Sequence, residues 1–247
     1  MTWHVQTFAS VESTQDFLAD LLQTEDILEG TVIQALEQKK GKGRQGNGWV
    51  SPMGNLYMSF LLRPSCDQKT ASQLSFVIAL AIARAISAVL QDETVDVQLK
   101  WPNDVMIDGQ KCAGILLQSH TDKDNNLDAV IVGTGINILS APEQGTCTYL
   151  NAYDCAMEDR RPLAIHPFRD VVLDAVSHYY GIWRKDGFQP IRQAWLDKAY
   201  NKGGAVKART KKATEEGAFI DINEDGALLL EQADGKVIAI HSADVYF

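Results

Sequence analysis

The chain has 247 residues, 45% of them hydrophobic and 22% charged, with a formal net charge of −9. That length predicts one large domain, or a large one with a small companion, and the apolar share builds a core and excludes disorder. The acidic balance argues against a duplex-DNA binder, and the longest unbroken apolar run, Phe76 to Ala83, falls far short of the roughly 20 residues that span a bilayer. The first ten residues lack a basic stretch followed by an apolar one, so no secretory signal is read. Cys66, Cys112, Cys147 and Cys155 form no C-x-x-C pair, and the five histidines stand singly. This pattern fits thiols in a reducing cytoplasm, and no residue is assigned to a metal.

In chain order, WHVQTF alternates and predicts a strand. SVESTQDFLADLL places Phe17, Leu18, Leu21 and Leu22 at helical spacing, with Ser13 and Asp16 resembling a capping box. GTVIQALEQ and NLYMSFLLRP predict strands on either side of a glycine-rich loop, and ASQLSFVIALAIARAISAVL predicts a long buried helix. VDVQLKW is a strand, and VMIDGQKCAGILLQSH a hairpin turning at Asp108-Gly109. After the turn TDKDNN, LDAVIVGTGINI is an apolar strand. Residues 141–165 are irregular, with one or two short helices, and HPFRDVVLDAVSHYYGIWR and IRQAWLDKAY predict amphipathic helices. The expectation is an α+β domain over 1–200, a linker at NKGG, and a small β-barrel of SH3 type over 201–247. AVKART, EGAFIDI, GALLLEQ and KVIAIHSADVYF supply that barrel's strands.

QKKGKGRQGNGW, residues 38–49, contains G-x-G-x-x-G at Gly41, Gly43 and Gly46, with Asp67 downstream. A dinucleotide loop must open a helix, whose N-terminal amides hold the pyrophosphate. Here Pro52 and Gly54 intervene and β character follows, so that reading fails. The loop instead carries Lys39, Lys40, Lys42 and Arg44, with no acid between Gln38 and Cys66. Glycines allow close backbone approach and the cations can neutralise phosphate oxygens. A solvated basic loop is the plainer alternative. Trp49 serves either the core or a base-stacking platform.

KWPNDV, residues 100–105, places Asn103 and Asp104 at a strand end. Lys111 follows across the hairpin, where it can share a cleft with Asp104, and Gly114 admits a ligand close to the backbone. GTGIN, ending in Asn137, is a third candidate lining.

Together these segments resemble biotin protein ligase. GKGRQGNGW matches that family's G-[RK]-G-R-x-G-[RN]-x-W loop, KWPND its K-W-P-N-D, KCAGILL its K-x-A-G-I-L and GTGIN its G-x-G-x-N. Ser13-Thr14 matches its helix-opening S-T pair. The resemblance runs from Val11 to Phe247. It implies the class II synthetase/biotin-ligase fold, a mixed β-sheet with flanking helices. It also implies a reaction: biotin and ATP, with Mg²⁺, give biotinyl-5′-AMP, and biotin passes to a lysine of a carboxyl carrier domain of acetyl-CoA carboxylase or a related carboxylase. It assigns Lys111, Arg44 and Asp104 to catalysis. Ser13, Thr14, Gln38, Gly41, Lys42 and Gly114, with Arg44 and Lys111, go to biotin. Trp49, Asn103 and Asn137, with Lys42, Arg44 and Lys111, go to ATP and the adenylate.

Two loop positions depart from the commonest pattern: Lys42 and Asn47 stand where arginine is frequent. Because the first strand begins almost at Met1, leaving no room for a helix-turn-helix, a ligase without DNA binding is expected, cytoplasmic, off the membrane, and with a homodimer admitted. The rivals are a lipoate or octanoate ligase of the same fold and a non-catalytic biotin-binding regulator.

Overall fold

The corner between the first strand and first helix is fixed by one serine. In the computed structural model, which describes all residues except 91, 144, 154–162, 211, 212 and 247, β1 (His4–Val11) runs into α1 (Thr14–Thr24). Ser13 is the N-cap, and its side-chain oxygen accepts the Asp16 amide at 3.3 Å. The Asp16 carboxylate in the first turn adds a favourable charge at the positive end of the helix. α1 then returns the chain to β2 (Thr31–Gln38), which pairs parallel with β1.

β3 (Leu56–Leu62) is buried at every position, the mark of a strand covered on both faces. Its alternate residues divide between two cores. Leu56, Met58, Phe60 and Leu62 face the larger one, while Leu61 joins Leu18, Ile33 and Ile131 under α1. A short helix, α2 (Gln68–Ala71), precedes α3 (Leu74–Val89). Asp67 caps α2, accepting the Thr70 amide at 2.7 Å, so this residue has a structural task unrelated to any dinucleotide. The stretch 68–89 is long and apolar enough to cross a bilayer by composition, yet most of it is buried in the core.

β4 (Val97–Lys100), β5 (Asp104–Ile107), β6 (Gln110–Thr121) and β7 (Leu127–Ile136) complete a seven-stranded sheet of order β1-β2-β3-β7-β6-β5-β4. All pairs except β1–β2 are antiparallel. The β5–β6 hairpin turns where expected, with Asp108 and Gly109 at φ 49° and 75°. Two consecutive positive φ values define a type I′ turn, for which Asp-Gly is suited. α4 (Ile165–Asp186) and α5 (Phe188–Leu196) pack with α3 on the face opposite α1. The described part of the irregular stretch holds one short 3₁₀ turn, Leu150–Ala152.

β8 (Ala205–Arg209), β9 (Thr214–Ile222), β10 (Leu228–Glu231), β11 (Val237–Ile240) and β12 (Asp244–Tyr246) form a second, wholly antiparallel sheet of order β11-β10-β9-β8-β12. The last segment, expected as one strand, is two: the chain breaks at residues 241–243 and β12 returns to β8. No ladder joins β11 to β12 among the described residues, so the strands seen make an open antiparallel sheet. This sheet is tied to the first: Trp101 Nε1 donates to Gly226 O at 2.9 Å, and Trp195 packs 6.4 Å from Phe219. Cys112 is buried, Cys66 and Cys147 are half-buried, and Cys155 lies outside the described residues.

Candidate active site

The glycine loop is an arch held at both feet. Lys39 and Lys40 donate their amides to Val11 O and Glu12 O, and Trp49 donates its amide to Gly41 O at 2.8 Å. A Cβ at Gly41 would lie 2.4 Å from Trp49 O, so the closure requires glycine there. Past the arch the chain bridges to β2 through Gln38 and Ser51 and then enters β3. No helix follows, in agreement with rejection of the dinucleotide reading.

The loop's cations divide by partner. Lys40 pairs with Glu12 at 2.8 Å on the surface, and Lys42 with Asp16 at 2.5 Å. Arg44 turns inward, its Nη1 donating to Asn103 Oδ1 at 3.3 Å and Nη2 to Ser242 Oγ at 3.4 Å. Burial pushes the Arg44 pKa down, while Asp104 and Asp244 nearby push it up. Asn103 is itself fixed, its Nδ2 donating to Ile115 O at 2.6 Å and its carbonyl accepting the Ile115 amide at 3.0 Å.

Asp104 opposes Gly114 in the β5–β6 ladder, and a bulge between Val105 and Met106 shifts the register toward the turn. The Lys111 side chain reaches back so that Nζ lies 2.7 Å from Asp104 Oδ1. Lys100 stands across from Asp104 on β4; burial lowers its pKa and the Asp104 charge opposes that. One carboxylate thus stands among three cations.

Trp49 lies flat across the sheet. A Cβ at Gly114 would come within 2.9 Å of its ring, and one at Gly135 within 2.4 Å of Nε1. Lys111 Nζ sits 5.2 Å from the ring centre, on the cation–π face. The buried Nε1–H has no acceptor.

Deeper in, charge gives way to neutral hydrogen-bonding groups. Gln38 Oε1 accepts from the Thr14 amide at 2.9 Å and stands 3.1 Å from the Thr14 hydroxyl oxygen, while Gln38 Nε2 donates to Ser51 Oγ. Ser13, Gln15 and Ser59 complete this inner end. The cleft, about 180 Å³, therefore has a neutral polar floor and a basic mouth beside an indole.

Residues 7–137 match the model of the biotin/lipoate A/B protein ligase family, and residues 203–247 match that of the biotin protein ligase C terminal domain. The chain belongs to the biotin/lipoate A/B protein ligase family. Among its relatives, the biotin--[acetyl-CoA-carboxylase] ligase of Paracoccus denitrificans is 36% identical over 217 residues, covering 87% of this chain and 89% of that protein. The bifunctional ligase/repressor of Bacillus subtilis is 31% identical over 96% of this chain and 72% of its own length. Among solved structures, biotin protein ligase from Aquifex aeolicus in complex with biotin and ATP superposes with a TM-score of 0.82 at 27% identity, covering 98% of this chain and 97% of that one.

Most of the positions assigned through the family motifs converge. Ser13, Thr14 and Gln38 stand at the inner end, Lys42, Arg44 and Lys111 nearer the mouth, and Trp49, Asn103, Asp104 and Gly114 between them. Gly41 and Asn137 do not line the cleft. Gly41 shapes the arch. Asn137 is buried behind it, its Nδ2 donating to Thr148 O at 3.1 Å and its amide to Cys112 O at 2.9 Å, which braces the segment after β7.

Other lining residues escaped the motif reading. Ser59 had a signal: it is the one small polar residue within the apolar run LYMSFLL. Gln15 directly follows the S-T pair. Asp244 had none, because only the return of β12 carries it to Arg44. No trio of His, Cys, Asp or Glu converges among the described residues in a way that could hold a metal ion.

Proposed function

We propose that this chain activates biotin with ATP to biotinyl-5′-AMP, releasing pyrophosphate, and transfers the biotinyl group to a lysine of the carboxyl carrier domain of acetyl-CoA carboxylase or a related carboxylase. The observation that carries this reading is the polarity of one cleft, uncharged hydrogen-bonding groups within and Lys42, Arg44 and Lys111 outside. Such a cleft suits a ligand with a neutral polar head and an anionic tail. A carboxylate attacking a phosphate meets the repulsion of like charges, and fixed cations offset it most where the transition state concentrates charge.

In this reading Lys111, oriented by Asp104, bridges the biotin carboxylate and the α-phosphate. Arg44, held by Asn103, and Lys42 take the remaining anionic oxygens. Ser13, Thr14 and Gln38 hold the ureido ring, Gly114 lets the ligand approach the sheet, and Trp49 supplies a face for adenine. Asn137 acts from behind, bracing the wall nearest the adenylate. Closure of the Gly41 arch keeps water from the mixed anhydride until the acceptor lysine arrives. Mg²⁺ enters as the counter-ion of the triphosphate rather than as a resident ion of this chain.

We read residues 1–200 as the catalytic domain and 201–247 as an SH3-like barrel, supported by five short antiparallel strands within that span. The reading also places the protein in the cytoplasm, away from DNA and membrane, as its charge of −9 supports, with a homodimer as the oligomer to test by light scattering. A lipoate or octanoate ligase would call for a long apolar slot, and the polar inner end favours biotin. A purely regulatory biotin binder has no use for Lys111 and Arg44 at the mouth.

The deciding experiment incubates the protein with biotin, ATP, Mg²⁺ and a carrier domain and weighs the product. A carrier heavier by one biotinyl group, with pyrophosphate released and octanoate unable to compete, is the expected result. Absence of pyrophosphate with biotin present would revive the regulator.

A further inference from the structure

Gln15 follows the Ser13-Thr14 pair and is almost wholly buried. Its side chain crosses Gly133 on β7, where an added Cβ would lie 2.3 Å from Oε1. Its Nε2 donates to Ile131 O at 3.2 Å and approaches Gln118 Oε1 at 3.5 Å. Two carbonyl oxygens repel at that range, so the amide must turn its NH₂ toward Ile131 and its oxygen toward Ser59. Ser59 Oγ, fully buried, donates to Gln15 Oε1 at 3.2 Å.

A hydroxyl has one proton, and the rest of the chain of contacts follows from that. With its proton on Gln15, Ser59 can only accept from Thr14, whose Oγ1 is 2.9 Å away. The Thr14 proton then points at Ser59, leaving a Thr14 lone pair for the cleft. Two protons serve three oxygen contacts, so with Gln15–Ser59 and Ser59–Thr14 made, none is left for the Thr14 Oγ1–Gln38 Oε1 contact of 3.1 Å, and Gln38 Oε1, already taking the Thr14 amide, keeps its second lone pair. Ser13 Oγ accepts the Asp16 amide, and its proton remains for the cleft. The inner end thus presents two acceptors and one donor, the complement of a cyclic urea with two N–H groups and one carbonyl.

We propose that Gln15 is a positioning residue that, through Ser59, sets the hydroxyl direction of Thr14 and so makes the cleft select a cyclic urea. This rests on the biotin reading above. Without the Gln15 oxygen, the Ser59 proton is released toward Thr14 and the acceptor pair is lost.

The test is biotin titration by calorimetry with wild type, Gln15→Met and Gln15→Glu, alongside KM for ATP. Gln15→Met keeps the length and removes both polar atoms; it is expected to weaken biotin roughly tenfold or more with ATP unchanged, the scale of a buried hydrogen-bond partner lost. Desthiobiotin, which keeps the cyclic urea but not the thioether ring, should weaken by the same factor. In Gln15→Glu the protonated carboxyl would donate to Ile131 O and accept from Ser59, so biotin affinity relative to wild type should recover as pH falls through the carboxyl range. Wild-type biotin affinity in Gln15→Met, equal loss of biotin and ATP, or no recovery at low pH in Gln15→Glu would each overturn the proposal. Wild type that binds no biotin would overturn the underlying function instead.

Discussion

Lys111 and Asp104 meet across the β5–β6 hairpin with Nζ 2.7 Å from Oδ1, in a close ion pair that is only 28% and 18% exposed. The contact is Coulombic rather than an aligned hydrogen bond, since Oδ1 has no partner along a hydrogen-bond direction. An ammonium held this way keeps its N–H bonds available for an incoming anion while its position is fixed. Lys111→Ala should therefore cut the rate of adenylation by about 10²–10³-fold, the scale for removing one transition-state charge contact. Asp104→Asn should cost less, because the cation survives and only its placement loosens. Single-turnover pyrophosphate release checks both, and near-normal release by Lys111→Ala would remove its assigned role.

Lys42 bonds to Asp16 at 2.5 Å at a site where both side chains are about half exposed, so the pair contributes little stability but fixes a direction. An ammonium committed to Asp16 offers its remaining protons as a point charge. Guanidinium would offer a fork that grips two oxygens at once. Lys42→Arg is expected to slow dissociation of biotinyl-AMP by several-fold, about the gain of one bidentate contact over a single one. Stopped-flow displacement of the intermediate measures it, and an unchanged off-rate refutes the difference in grip.

Local chemistry was legible in the sequence; contacts between distant segments were not. Ser13 caps α1 and Asp108-Gly109 turns the hairpin because those residues act on their own neighbours. Lys111 and Asp104 were placed together because a hairpin joins them. The break at residues 241–243 was missed, since no glycine or proline interrupts KVIAIHSADVYF and only pairing with β8 divides it. α2 was missed for its brevity, although Asp67 is a capping residue. Ser242 and Asp244 reach Arg44 from about 200 positions away, a meeting set by sheet docking and not by any motif.

Gly135 lies under Trp49, and a methyl there would stand 2.4 Å from Nε1. The sheet backbone cannot yield by that much, so the indole must lift. Gly135→Ala is expected to raise KM for ATP by roughly tenfold, the order of a lost aromatic stacking contact, with biotin affinity nearly unchanged. Trp49→Ala should do the same. The two should not add: in a Trp49→Ala background the extra methyl has nothing to displace, and the double-mutant cycle should show a coupling comparable to either single effect. Additive losses would mean that Gly135 acts on something other than Trp49.

Asp244 brings a negative charge from the C-terminal sheet to a guanidinium that must bind an anion. Its field, with that of Asp104, offsets the cost of burying Arg44, so in the ligand-free protein it holds the cation in place. Once a triphosphate enters, the same charge opposes it. Asp244→Asn should consequently lower KM for ATP by a few-fold while lowering Tm by a few degrees, opposite signs from one substitution. Raising ionic strength should shrink the difference in KM, because a partly open cleft is screened by salt. Ser242→Ala removes a neutral hydrogen bond and should leave the salt dependence as in wild type. If Asp244→Asn raised KM, the carboxylate would be assisting the nucleotide rather than restraining Arg44, and the two sheets would cooperate in binding instead of competing for one cation.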